Sequence, residues 1–253
     1  MNNKSWKAIF DKHKIHKHNF NREPYIISAE QIKQATTHFK KTNEKEVRIL
    51  CKQDSREDRP KVFAENGVFL LPIKNGMYAI VKGEGYVNIP VIKNTAKIYK
   101  SKLLFHLDTS QIGNSEMQHL DFAYASSLIR TFLKDETLVL TIRGRKYTPQ
   151  FSFRVGKQNI TTKSVQTEVD AGYEGKNQVA LVEAKNSKTT NTIIRQLFYP
   201  FKQWSQHTKK KVRTLFFEKR KNYYSLWQFD FDNINDYNSI QLTQSCRYEI
   251  TEK

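Results

Sequence analysis

The 253-residue sequence predicts an α/β protein, a mixed sheet flanked by helices, in which a helix, several strands, a helix and further strands follow in order. Two observations carry this. Apolar residues recur at helical spacing over 115–133 and again from about 191, and between and after them short apolar runs are bounded by Gly and Asn. A third supports it: 38% hydrophobic and 12% aromatic residues supply enough apolar surface to offset chain entropy.

Residues 1–100 have their own logic. Ser28 followed by Gln31 is a capping box that opens a helix through about residue 40, with Ile32, Ala35 and Phe39 as its apolar stripe. A short helix starts at Pro60 and stops at Asn66-Gly67, a left-handed exit. Two apolar runs, 68–73 and 77–81, flank Asn75-Gly76 and predict a tight hairpin, with Pro72 at an edge or bulge. In element order this part resembles a winged-helix module, which implies DNA recognition. Residues 88–102 lack periodicity, so the chain divides into 1–100 and a second domain, 101–253.

In the second domain Ser115 and Gln118 suggest another cap. The helix behind it runs to about 133 with Met117, Leu120, Tyr124, Leu128 and Phe132 buried. Strands follow over 137–143 and 150–155, then 165–173 and 178–184, with Gly172 and Gly175 marking the turn between the last two. A helix from about 191 carries Ile193, Ile194, Leu197, Phe198 and Phe201, shortened or kinked by Pro200. Strands over 212–218 and 223–230 close the order.

Charge narrows the partner. Lys and Arg number 43 against 25 Asp and Glu, a formal +18, and residues 1–100 hold 20 of the basic and 10 of the acidic residues. The excess is therefore spread over folded sequence and suits a polyanion, most simply nucleic acid. Cys51 and Cys246 stand alone, which argues against a disulfide framework or zinc knuckle and for a reducing compartment. No apolar run reaches the ~20 residues of a membrane helix, and no signal-like run follows Met1, so a cytoplasmic protein without a membrane partner is expected. Walker A loops, dinucleotide fingerprints and Gly-x-Ser-x-Gly elbows are absent from the sequence.

The chemistry concentrates in Glu168-Val169-Asp170, a Gly turn, and Val179-Ala180-Leu181-Val182-Glu183-Ala184-Lys185. On strands alternate residues share a face, which pairs Glu168 with Asp170 and Glu183 with Lys185. Burying Glu183 and Lys185 at the end of an apolar strand is costly unless a metal ion and their mutual charge compensate. Oxygen donors from Asp170, Glu183 and the Ala184 carbonyl suit Mg²⁺. Such an ion polarises a phosphate and acidifies a bound water, and Lys185 is placed to orient or deprotonate that water. Glu168 is a second-ion ligand or a support to the first. A surface hairpin with an exposed Glu–Lys pair is the bland alternative.

At these residues the sequence resembles the PD-(D/E)xK nuclease superfamily. Asp170 fits its first acid, preceded by Val169 where the pattern has proline, and Glu183-Ala184-Lys185 fits its E-x-K element. The resemblance implies a restriction-endonuclease-like fold over 101–253 and catalytic residues Asp170, Glu183, Lys185 and Glu168. It further places Glu116 on the preceding helix as another carboxylate, and Arg195, Gln196 and Tyr199 as DNA-contacting or supporting residues. Size and the basic N-terminal part then point to a type II restriction endonuclease. Such an enzyme is a homodimer that cuts double-stranded DNA at a short specific sequence, leaving 5′-phosphate and 3′-hydroxyl ends. A cognate DNA methyltransferase acting on the same site is left open. Two other readings stand beside it: a structure-specific repair or recombination nuclease, and a non-catalytic winged-helix DNA-binding regulator.

DNA contacts are expected from Arg48, Lys52, Arg56, Arg59 and Lys61 around the short helix, from Lys74 at the hairpin, and from Arg195 and Gln196. Interspersed Asp54, Glu57 and Asp58 leave a solvated ion-pair network as an equal alternative for the first five. Lys209, Lys210, Lys211 and Arg213 read as a solvated turn, and His13, His16 and His18 lack the acidic or Cys partners of a zinc site.

Overall fold

The computed structural model describes residues 2–251 as a mixed α/β fold. The N-terminal part comprises α1 (Asn3–Lys12), β1 (Tyr25–Ser28), α2 (Ala29–Thr36), α3 (Thr42–Lys45), α4 (Val47–Leu50), α5 (Lys61–Glu65), β2 (Val68–Lys74) and β3 (Met77–Lys82). Ser28 and Gln31 form the capping box reciprocally, each side chain accepting from the other's backbone N–H at 3.1 and 2.8 Å. The helix ends at Thr36, short of residue 40, where the Thr36 and Thr37 hydroxyls turn back onto the preceding carbonyls. Gly67 and Gly76 take φ of +63° and +71°, ending α5 and closing the hairpin. The sheet order is β1-β3-β2, so Pro72 lies on an edge strand, beside a register shift.

The C-terminal part contains β4 (Tyr86–Asn88), β5 (Lys97–Lys100), α6 (Glu116–Ala125), α7 (Leu128–Leu133), β6 (Val139–Tyr147), β7 (Phe151–Val155) and β8 (Gln158–Thr162). It continues with β9 (Gln166–Glu174), β10 (Gln178–Lys185), β11 (Asn191–Ile193), α8 (Arg195–Trp204), β12 (Lys211–Arg220), β13 (Tyr223–Phe231) and β14 (Ile240–Thr251). A seven-stranded sheet runs β5-β14-β13-β12-β10-β9-β6. It is antiparallel except at β10–β12 and β5–β14. α8 is the crossover between parallel β10 and β12, the length of connection such a pair requires. α6 and α7 cover one face and α8 the other, so β10 is closed off on both: Val179 and Leu181 pack toward α8, Ala180, Val182 and Ala184 toward α6 and α7.

Several expectations change. The single helix over 115–133 is two, because Ser127 enters the left-handed region at φ +66°. Met117, expected in the buried stripe, is 41% exposed. The helix expected from about 191 starts at Arg195, since 191–193 pairs with β4 instead. Gly172 is not in the turn but inside β9, where a Cβ would come within 2.6 Å of the Ile142 Cβ. β8 and β14 form without having been expected.

The two parts are fused through the hairpin. Val68, Leu70 and Ile80 face the N-terminal core around Trp6, Phe10 and Phe63, while Phe69, Leu71, Ala79 and Val81 join the core of β10 and α8. Strands β4 and β5, within 1–100, hydrogen-bond to β11 and β14.

Candidate active site

The site begins with a fault in a ladder. Between the pairs Ile142↔Gly172 and Gly144↔Val169, β6 advances two residues and β9 three, so β9 carries a bulge spanning Asp170. The β9–β10 pairing stops at Val182↔Ala171, whereas β10 stays paired with β12 as far as Lys185↔Glu218. The Ala184 N–H, left over by β9, is taken by the Asp170 carboxylate at 2.7 Å. The bulge thus seats Asp170 beside the end of β10, where Glu183 and Lys185 stand.

Glu183 is about 10% exposed and accepts from Lys185 Nζ at 2.5 Å; Nζ also donates to the Ala184 carbonyl at 3.1 Å. Burial pushes the Glu183 carboxyl up to about 7, against the downward pull of Lys185 and with Asp170 adding to the rise. Asp170 is raised too, chiefly by burial, with the Ala184 N–H and Lys185 opposing and Glu116 and Glu168 adding. Burial works to lower the Lys185 ammonium, but Glu183, Glu116 and Asp170 outweigh it and the net shift is upward. The buried Glu183 and the half-buried Asp170 are therefore both drawn down by one ammonium, which touches only the first.

That arrangement bears on a divalent ion. Lys185 Nζ, itself a cation, already rests on two of the three oxygens expected to bind one, Glu183 Oε1 and Ala184 O. No group of three or more His, Cys, Asp or Glu side chains able to hold a metal occurs among the described residues. The donor set is two carboxylates and a carbonyl, the sparse oxygen set that Mg²⁺ completes with water and phosphate. The residues fit that ion.

The site lies in a cleft of about 750 Å³ between the two parts of the chain. Asp170, Glu183, Lys185, Glu168 and Glu116 form one side; Glu46, Arg48, Lys52, Asp54 and Tyr78 come from the N-terminal part, and Arg195 and Gln196 from the first turn of α8. Six acids against four bases line it, a local deficit of two positive charges in a chain of +18. Glu168 pairs with Arg145 at 3.2 Å, and Glu116 accepts from the Asn186 N–H at 3.3 Å.

The expected DNA contacts divide. Arg48, Lys52, Arg195 and Gln196 line the cleft. Arg56 instead donates to Asn88 Oδ1 and the Tyr86 carbonyl at 2.6 and 3.2 Å, and Arg59 lies over the Tyr86 ring at 5.5 Å. Lys61 and Lys74 are exposed away from the cleft lining. Tyr199 is buried and donates to the Pro72 carbonyl at 3.0 Å, tying the hairpin to α8. Lys210 pairs with Glu174, and Lys211 and Arg213 with Asp230. Sequence reasoning left Asp54 among surface ion pairs and did not place Glu46 or Tyr78 in the site; no local pattern marks residues that only packing brings there.

Comparison with known proteins gives a family but no activity. Neither the curated proteins nor the solved structures contain a match to this chain. Residues 3–80 match the model of a domain of unknown function, DUF6996, and residues 81–249 match that of another, DUF6997. The chain, with its cleft walled by both matched segments, belongs to the DUF6997 family, and its N-terminal side is similar to DUF6996.

Proposed function

We propose that this chain is a Mg²⁺-dependent endonuclease of restriction-endonuclease-like fold that cleaves double-stranded DNA at a short specific sequence, leaving 5′-phosphate and 3′-hydroxyl ends. The observation that carries the reading is the buried Glu183, paired with Lys185, beside the half-buried Asp170 in an acid-rich cleft of a +18 chain. A polyanion attracted by the whole-body charge would meet net negative charge in that cleft, which a divalent ion reconciles.

Asp170, Glu183 and the Ala184 carbonyl would hold the ion. When bound, Mg²⁺ polarises the scissile phosphate and lowers the pKa of a water. The Ala184 N–H holds Asp170 in place, so that the carboxylate needs no reorganisation. Lys185, displaced from the Ala184 carbonyl, keeps its bond to Glu183 and turns its remaining protons to water or phosphate. Arg48 and Lys52 on the opposite wall offer positive charge to the strand. The N-terminal part, read as a winged-helix-like module, would choose the target. A homodimer, one site per strand, completes the double-strand cut in this reading, and a methyltransferase of the same specificity is its natural companion.

Incubating unmethylated plasmid with the protein and Mg²⁺ tests this. Discrete, reproducible fragments are expected, with none from Asp170→Ala, which should still bind DNA without metal. Smearing or flap-only cutting would favour a repair nuclease, and undiminished cutting by Asp170→Ala would remove the assigned site. Binding without any cutting by the wild type would leave the regulator.

A further inference from the structure

The loop between α4 and α5 leaves the N-terminal part and lies against the segment that follows the catalytic strand. Asn191, 4% exposed, staples it there: Nδ2 donates to both Glu57 carboxylate oxygens at 3.1 and 2.9 Å, and Oδ1 accepts from the Arg56 N–H at 2.7 Å. The Asp54 carbonyl accepts from the Ile193 N–H at 2.8 Å. Asp54 is thereby fixed at main-chain level, and its carboxylate lines the catalytic cleft. There it meets Arg195 through one contact, Oδ1 to Nη2, at 3.4 Å.

That contact differs from a surface ion pair and from a full Arg–carboxylate fork. Both side chains are largely enclosed, 25% and 22% exposed, and the acid is anchored by its backbone. A full fork makes two parallel bonds of ~2.7–2.9 Å. One long bond restrains the guanidinium while leaving most of its five donors unspent. Holding a long flexible side chain in advance lowers the entropy lost when it grips a ligand.

We infer that Asp54, supplied by the N-terminal part, is a positioning residue for the proposed nuclease reaction: it keeps the Arg195 guanidinium aimed into the cleft and yields it to a backbone phosphate of the bound DNA. The inference rests on the nuclease reading above. It makes the N-terminal part a contributor to the catalytic cleft as well as a module for choosing DNA.

A double-mutant cycle on the full chain tests it, with Asp54→Asn, Arg195→Ala and both together. In single-turnover cleavage of plasmid, Asp54→Asn should slow the chemical step about tenfold with unchanged or lower apparent KM, and change the Arg195→Ala rate less than twofold. Asp54→Glu should stay within about threefold of wild type, because it keeps the charge. Equal losses in both backgrounds, or no loss, would overturn the inference. Should Asp54→Asn fail to fold, Arg195→Lys replaces it, with the same ~tenfold loss expected because the charge stays and the fork goes. If the wild type cuts nothing, the nuclease reading fails and binding decides alone. By fluorescence anisotropy of a labelled duplex in EDTA, Asp54→Asn should tighten binding about threefold, but not in the Arg195→Ala background. Tightening by the same factor in both backgrounds would overturn the clamp.

Discussion

Two largely enclosed acids on the same sheet show how differently one fold can treat a carboxylate. Asp230 on β13 is 16% exposed and meets Lys211 and Arg213 at 3.2 Å, with the Gln228 amide donating to its other oxygen. Glu183 on β10, about 10% exposed, has Lys185 as its one ion-pair partner among the described residues, and that ammonium also acts on Asp170. The first cluster has more positive than negative charge and ties β12 to β13 inside the sheet. The second is short of positive charge on the lining of a cleft. In the proposed reading this shortfall leaves the pair to be completed by another cation, which would set the site apart from a structural ion pair.

The largest expected effect exchanges the two. Glu183→Ala should lower Mg²⁺-dependent cleavage on the order of a thousandfold while metal-free DNA binding survives. Asp230→Ala should do the reverse, costing about 1–2 kcal/mol and a few degrees of melting temperature with cleavage per folded molecule unchanged. If Asp230→Ala abolishes cutting, or Glu183→Ala does not, the comparison breaks.

A smaller effect concerns pH. Because burial holds the Glu183 carboxyl at about 7, its ion-binding form is lost as pH falls through that value. Cleavage at fixed Mg²⁺ should rise about tenfold per unit below pH 7 and level off above 8. A flat profile between pH 6 and 8 would show that Glu183 is not required in its charged form.

The smallest is thermal. A carboxyl raised from 4.5 to about 7 in the fold contributes stability that is complete below 4.5 and lost as pH rises through 7. Bound Mg²⁺ should restore it: at ten times Kd the gain is ~1.4 kcal/mol, about 3 °C for a chain of this size, larger at pH 8 than at pH 6. Calorimetric scans of wild type and Asp170→Ala would check this, the variant losing the shift.

Much of the local structure was legible in the sequence because it is decided locally. The Ser28–Gln31 box, the Asn75-Gly76 turn and the apolar strand ending in Glu183 and Lys185 each depend on neighbours a few residues away. The break at Ser127 and the strand at 191–193 were not, because pairing with distant β4 and packing of α6 and α7 override helical spacing. For Tyr199 the resemblance implied a DNA-contacting or supporting role, and the hairpin that folds over it makes it a buried tie.

The chemical vocabulary of the site, two acids and a lysine closing apolar strands in a basic chain, is written in the residues themselves. Their environment is not. The bulge that seats Asp170 arises from a mismatch between β6 and β9, the burial that raises Glu183 comes from helices on both faces, and the far wall of the cleft comes from a part of the chain distant in sequence. Residue type fixes which charges exist; only packing decides how much water and how many counter-charges they keep, and that decides what they can do.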